Sequence, residues 1–263
     1  LKKLKGDALG VIEYHTSGSF SNSESVDRVI QYGVAYVPTA IFNGQVWVVG
    51  GGGGTFNTYN TRYNQQIAIN TPGVLSLRVD YDPVQRTGTI ITRFSSVDQI
   101  SSSDLFLRYA LTESHKFYQW QWLDSLQFIL RDMLPDYQGT SFWVNQGETF
   151  ADSQSFYIDP SWVDYNCELA VFVQSDKDTA VLISNLIPLY PTHLLGDANG
   201  DKAVTVSDAV FLINYVLYSG PEPEPSASGD GNQDCIIDME DVVLLIDYLY
   251  HGGPPPLRGW EID

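Results

Sequence analysis

Apolar and polar positions change their period along the chain, and the changes divide it. In residues 1–70, short apolar runs alternate with stretches of helical period. "LGVIEYHT" reads as a short buried strand. "NSESVDRVIQYG" reads as a helix, with Asn22 or Ser23 as cap, Val26, Val29 and Ile30 on one face, and Gly33 as stop. "VAYVPTAIFNGQVWVVGG" predicts two strands joined at Asn43-Gly44, a dipeptide suited to a tight hairpin. "TFNTYNTRYNQQIAI" follows as a helix, preceded by Gly50 to Gly54. That glycine run lacks the Lys-Ser/Thr of a phosphate loop and reads as a strand-to-helix turn.

From residue 71 to 190 the period falls to two. "GVLSLRVDYDP", "TGTIITRFSS", "DLFLRYALTE", "TSFWVNQGETF", "QSFYIDP", "ELAVFVQS" and "AVLISNLIPLY" are strand-like and separated by turn residues. Short strands at this spacing predict an immunoglobulin-like β-sandwich. "FYQWQWLDSLQFILRDMLPDYQG" interrupts them and is expected to form a loop with a short helix. "YPTHLLG" then leads to residues 196–253, where the helical period returns twice, in "AVFLINYVLY" and "VVLLIDYLYHGG". "GPEPEPSAS" between the two helices is stiff, extended and solvated. Residues 254–263 are expected to form an irregular tail. The fold class is thus mixed α/β and β, closed by a helical module.

Each C-terminal helix follows the same ladder of side chains. "GDANGDKAVTVSD" precedes the first and "GDGNQDCIIDMED" the second, 33 residues later. Asp197, Asn199, Asp201, Thr205 and Asp208 fill positions 1, 3, 5, 9 and 12 of a twelve-residue window; Asp230, Asn232, Asp234, Asp238 and Asp241 fill the same positions of its copy. Ca²⁺ takes about six to eight oxygens, and a loop of this spacing supplies them, position 7 giving a backbone carbonyl. Ala203 and Ile236 stand at position 7. The sequence therefore predicts two Ca²⁺ sites, with the ion needed to offset carboxylates that otherwise repel.

Charge fits this division. The chain of 263 residues carries a net charge of −18. Residues 196–263 hold 13 Asp and Glu against two Lys and Arg, so most of the acidity sits around the loops. Such a balance argues against nucleic acid and anionic membrane surfaces as partners. No apolar run is long enough to span a bilayer. The opening "LKKLKGDALG" has no apolar leader core, and the chain is expected to be a mature or cut-down product. Loops of this kind suit the millimolar Ca²⁺ found outside cells, which points to an extracellular or cell-surface address.

The duplicated segment resembles a dockerin, a paired calcium loop–helix module that binds a cohesin domain on a partner. This chain departs from the family at position 6, where Lys202 and Cys235 replace the usual glycine, and in the added "PEPEPSAS". At the partner-facing positions 10 and 11 it carries Val206-Ser207 and Met239-Glu240 in place of Ser/Thr pairs. Upstream, "VIEYH", "ES..R...YGV..VPT.IFNG" and "LRDMLP...G" resemble bacterial extracellular proteins with a thioredoxin-like domain, related to the Omp28 type of outer-membrane protein. The resemblance implies that residues 1–70 form a partial thioredoxin-like segment with Pro38 as a cis-proline. It also implies a missing strand and an open sheet edge. The C-x-x-C of that family is absent, since no cysteine precedes Cys167.

Catalytic patterns are lacking. The four histidines are scattered, no G-x-S-x-G occurs, and the two cysteines, Cys167 and Cys235, have no redox or metal spacing. His15 is expected to make a structural hydrogen bond, and the aromatic residues to fill the core. The sequence thus predicts a non-catalytic extracellular bacterial protein that associates with itself head to tail or with a cohesin-like partner. Two alternatives are a thiol–disulfide oxidoreductase whose C-x-x-C lies outside this chain, and a carbohydrate-binding subunit of a polysaccharide-degrading complex.

Overall fold

A computed structural model describes residues 1–5, 8–120, 123–189, 195–201, 203–223, 228–232, 236–254, 256 and 260–262. The chain divides into two compact units, Leu1–Leu189 with Glu261–Asp263, and Tyr190–Trp260. Both the 1–70 and the 71–189 stretches fall within the first. The linker at 190–194, most of "PEPEPSAS" and much of the expected tail lie outside the described residues.

Two antiparallel sheets form the body of the first unit. One contains β3 (Gly73–Asp82), β4 (Thr87–Ser96) and β10 (Thr149–Tyr157), in the order β10-β4-β3, with the short β13 (Trp260–Ile262) next to β3. The expected irregular tail therefore ends in a strand, placed on the edge that β3 leaves open. The other sheet has the order β12-β11-β5-β8, from β5 (Leu105–Glu113), β8 (Ile129–Leu134), β11 (Cys167–Ser175) and β12 (Val181–Pro188), and β9 (Thr140–Phe142) also pairs with β5. Alternation in β3 buries Leu75, Leu77, Val79 and Tyr81, and in the other sheet Leu107, Tyr109, Leu111, Leu169 and Val171 are buried as well. "TSFWVNQGETF" is not one strand: a turn at Asn145–Glu148, with Gly147 at φ 81°, separates β9 from β10.

The stretch expected to be a loop with a short helix is instead β-structure, β6 (Lys116–Trp120), β7 (Leu123–Leu126) and β8. Its apolar residues are claimed by pairing. Tyr109 to Glu113 of β5 register with β8, which buries Ile129, Leu130, Met133 and Leu134. A bulge between Leu111 and Thr112 and the positive φ of Phe128 hide the period-two pattern.

The central strands β5 and β11 are buried on both faces, because the N-terminal segment covers the second sheet from outside. A short helix α1 (Lys2–Lys5) precedes that segment, which contains α2 (Ser23–Tyr32), the hairpin β1 (Thr39–Phe42) and β2 (Val46–Val49), and α3 (Thr55–Ile67). Ile12 and Tyr14 pack on Ala110, Leu130, Met133, Ala170 and Phe172. "LGVIEYHT" does not become a strand; it makes one parallel bridge, Glu13 to Ile129. The hairpin turn forms as expected, with Asn43 at φ 46° and Gly44 at φ 72°. Gly44 is required twice over, since a Cβ there would lie 1.8 Å from the Thr179 carbonyl oxygen. The Val37–Pro38 peptide is cis, as the family resemblance implies.

Helix α2 is capped by Asn22, whose side chain accepts from Ser25 N–H at 2.7 Å, and stops at Gly33 in the left-handed region. Its buried face is not the expected one. Ser25 and Arg28 are fully buried, whereas Ile30 is 70% exposed. Arg28 is drawn in by a polar network on the sheet. Its Nη2 donates to Gln174 Oε1 (2.7 Å) and Tyr32 OH (2.7 Å), and its Nη1 to Gln31 Oε1 (2.5 Å). Buried Arg108 donates to the same Gln174 Oε1 (2.8 Å) and to Asp176 Oδ2 (2.9 Å). The Gln174 amide then donates to the Thr179 carbonyl (2.6 Å) and Tyr32 OH (3.1 Å). Burial pushes the nearby Tyr14 phenol up to about 12, so it stays neutral beside the guanidiniums.

Gln174→Leu strips one acceptor from two buried guanidiniums at once. It is expected to cost about 3 kcal/mol or more of stability, read as a lower urea midpoint for the first unit.

Candidate metal centre

In the second unit two helices, α4 (Val206–Tyr218) and α5 (Met239–His251), bury equivalent residues against each other. Ala209 and Leu212 meet Val242 and Leu245, with Ala198 from the first loop. Each helix begins at a capping box. Thr205 caps α4 and Asp238 caps α5, while Asp208 and Asp241 at the third helical position reach back to the cap residue's N–H. Thr205 and Asp238, read from the sequence as position-9 ligands, thus direct side-chain oxygens at the helix N-termini, accepting from Ser207 N–H (3.2 Å) and Glu240 N–H (2.7 Å).

The position-12 acids close both ends of their loops. Asp208 Oδ2 accepts from Thr205 N–H (2.8 Å) and its Oδ1 from Asn199 N–H (3.1 Å). In the copy, Asp241 Oδ2 accepts from Asp238 N–H (2.9 Å) and its Oδ1 from Gly231 and Asn232 N–H (2.8 and 3.3 Å). Both carboxylates are buried, Asp208 at 0% and Asp241 at 1% exposure. Burial raises the Asp241 carboxyl above its ordinary range, against the pull of its three backbone donors. This double clamp was missed in the sequence, although Thr205-x-x-Asp208 and Asp238-x-x-Asp241 carry the capping-box spacing.

The first loop gathers its ligand candidates. Carboxylate oxygens of Asp197, Asp201 and Asp208 lie within 4.8 Å of one another. Oxygens that share one Ca²⁺ at about 2.3–2.6 Å are separated by no more than about 5 Å, so this donor set fits the ion, and it holds only hard oxygens. Asp201 N–H donates to Asp197 Oδ1 (3.0 Å) and Asn199 Oδ1 (2.8 Å), and Ala203 N–H to Asp201 Oδ1 (3.0 Å), which winds the loop around the cluster. In the second loop Asp230 and Asn232 are in place at the start and Asp238 and Asp241 at the end, with Ile236 60% exposed between them. Asp234, Cys235 and Lys202 lie outside the described residues.

Other candidates fall elsewhere. Cys167 is buried at the start of β11; burial, with Glu113 and Asp164 nearby, pushes its thiol up to about 12, and it donates to the Val163 carbonyl. His15 meets Glu13 Oε2 at 3.4 Å and the edge of Phe20. On the outside of the helices, Val206, Val210 and Leu217 form an exposed apolar stripe at i, i+4 and i+11, and Met239, Val243 and Tyr250 repeat it 33 residues on.

Two loop–helix repeats, each closed by an acidic clamp, make up the second unit, and the first loop gathers a cluster of carboxylate oxygens. Residues 195–250 match the family model of the dockerin type I domain, and domains of that type bind calcium. No curated protein matches the chain. Among solved structures, HBP35 of Porphyromonas gingivalis is similar in fold, with a TM-score of 0.51 and 11% identity over 62% of this chain. The match spans 57% of HBP35. A domain of the outer membrane lipoprotein Omp28 from Porphyromonas gingivalis is also found, with a TM-score of 0.33, 10% identity and coverage of 45% of this chain and 88% of that one. No helix among the described residues is long and apolar enough to cross a membrane.

Removing a clamp should loosen its helix start. Asp208→Ala or Asp241→Ala is expected to cost about 1–2 kcal/mol of local stability in excess chelator, while Asp201→Ala, at an exposed site, costs less. Amide exchange of Asn199 and Thr205, or of Asn232 and Asp238, measures the difference.

Proposed function

We propose that this chain is a non-catalytic bacterial protein of the cell surface or extracellular space, tethered to a cohesin-like domain of a partner through its C-terminal module. The observation that carries the reading is the repeated acidic clamp beneath a repeated apolar stripe. Ca²⁺ would be held by Asp197, Asn199, Asp201, Thr205, Asp208 and the Ala203 carbonyl, and by Asp230, Asn232, Asp234, Asp238, Asp241 and the Ile236 carbonyl. Its positive charge would offset the carboxylates and fix the helix starts, so that both stripes are presented on a rigid pair of helices.

The stripes favour a partner with an apolar face. Val206 and Met239 stand at the positions where a Ser/Thr pair would offer hydrogen bonds, so recognition rests on burial. Dockerin domains bind cohesin partners, which makes a cohesin-like domain the first probe. Pairing of two such modules with each other is disfavoured, because residues 196–263 hold 13 acidic against two basic residues and like charges would be brought together. Thiol exchange needs a thiolate, and Cys167 does not offer one within this chain, because it is buried with its thiol held protonated.

Calorimetry on the full chain should show two Ca²⁺ per molecule, falling to one in Asp197→Asn/Asp208→Asn. Absence of Ca²⁺ binding in the millimolar range would remove the basis of the proposal. Val210→Asp with Val243→Asp should weaken capture of a cohesin-like probe about tenfold or more and leave Ca²⁺ binding unchanged. Iodoacetamide at about pH 8 should leave Cys167 largely unmodified in the folded chain and alkylate it in urea.

A further inference from the structure

Strand β8 ends the second sheet, and residues 13–24 lie along its outer edge. Glu13 N–H donates to the Phe128 carbonyl (2.7 Å), and Leu130 N–H to the Glu13 carbonyl (3.0 Å). Asn22 Nδ2 donates to the carbonyls of Leu130 (3.0 Å) and Arg131 (3.3 Å). Glu24, in the first turn of α2, accepts from Met133 N–H at 2.5 Å. These contacts satisfy backbone groups that a bare edge would offer to another strand.

The last of them is chemically unusual. Met133 N–H also donates to Asp132 Oδ1, at 3.0 Å. Two carboxylates, one from the helix and one from the strand, therefore converge on a single donor, and both are partly buried. Asp136, in the turn after β8, adds a third negative group and uses its Oδ1 to accept from Gln138 and Gly139 N–H. The nearby cations are engaged elsewhere. Arg131 pairs with buried Glu113, and Arg28, one helical turn beyond Glu24, serves Gln31, Tyr32 and Gln174. Asp27 on the same helix adds no positive charge. Two ionised carboxylates at this separation repel, and one shared proton removes the repulsion.

We propose that Glu24 and Asp132 form a proton-sharing latch that pins the start of α2 to the β8 edge and releases it when the pair loses that proton. Burial, then Asp132 and Asp136, pushes the Glu24 carboxyl up to about 8, and burial raises Asp132 as well. The folded pair thus holds its proton more tightly than the unfolded chain does. Its stabilisation is complete below the ordinary carboxylate range and is lost as pH rises through about 8. Release uncovers the Leu130 and Arg131 carbonyls and Met133 N–H, an edge able to pair with an extended segment.

Glu24→Gln tests the latch, because its amide keeps an acceptor for Met133 N–H and offers a permanent donor to Asp132. Hydrogen exchange is followed on the full chain in constant Ca²⁺, comparing wild type and variant at each pH. At about pH 6 the peptides covering 13–24 and 129–134 should exchange alike. At about pH 9.5 wild type should exchange about tenfold faster there, while the peptide covering 167–175 matches the variant. Asp132→Asn should reproduce the result and serves as the readout if Glu24→Gln fails to fold. Wild type and the folded variants exchanging alike at every pH, or differing by one constant factor throughout, would overturn the latch.

Discussion

The first unit depends on one side-chain amide. Gln174 Oε1 accepts from both Arg28 and Arg108, and its nitrogen donates to Tyr32 and the Thr179 carbonyl. Helix α2, strands β5 and β11 and the β1–β2 hairpin all meet around it, since Thr179 in turn donates to the Gly44 carbonyl. Two buried guanidiniums share the region with one close carboxylate, Asp176. A carboxylate in place of Gln174 would balance the charge but lose the two N–H donors. An apolar residue would leave both arginines short of an acceptor. The amide serves both needs, and it joins the outer layer to the sheet beside the apolar contacts of Ile12 and Tyr14.

The second unit depends on a different economy. Each position-12 aspartate holds the helix cap with one oxygen and the start of its loop with the other. A carboxylate oxygen has more than one lone pair, so an oxygen that accepts a backbone N–H can also face an ion. Helix initiation, loop closure and ion binding are therefore concentrated on the same side chain, and the ion would act on elements already joined to one another. Between the helices the core is small, which leaves much of the module's rigidity to these polar starts.

What was legible in the sequence was local. The loop ladders, the Asn43-Gly44 hairpin and the caps at Asn22 and Gly33 depend on neighbours in the chain, and their spacing carries the geometry. The buried side of α2 was not legible, because Arg28 is drawn in by Gln174, 146 residues away. Nor was the β-structure between 116 and 134, whose alternation is broken by bulges and a positive φ and which is set by pairing of β6 with β7 and of β8 with β5. At the candidate metal centre the order of the acidic residues could be read, and Asp197, Asp201 and Asp208 do converge. The second function of Asp208 and Asp241 as clamps required the folded loop.

That second function separates two kinds of selection. A lineage without use for an ion at these loops would be free to drift at Asn199 or Asp201, whose side chains bond only within the first loop. Asp208 and Asp241 would remain under constraint, because the helices they start would still need them. In a decaying copy of the module, the last acid of each ladder should be the slowest to disappear, leaving a trace of the ancestral ion site in a protein that no longer binds one.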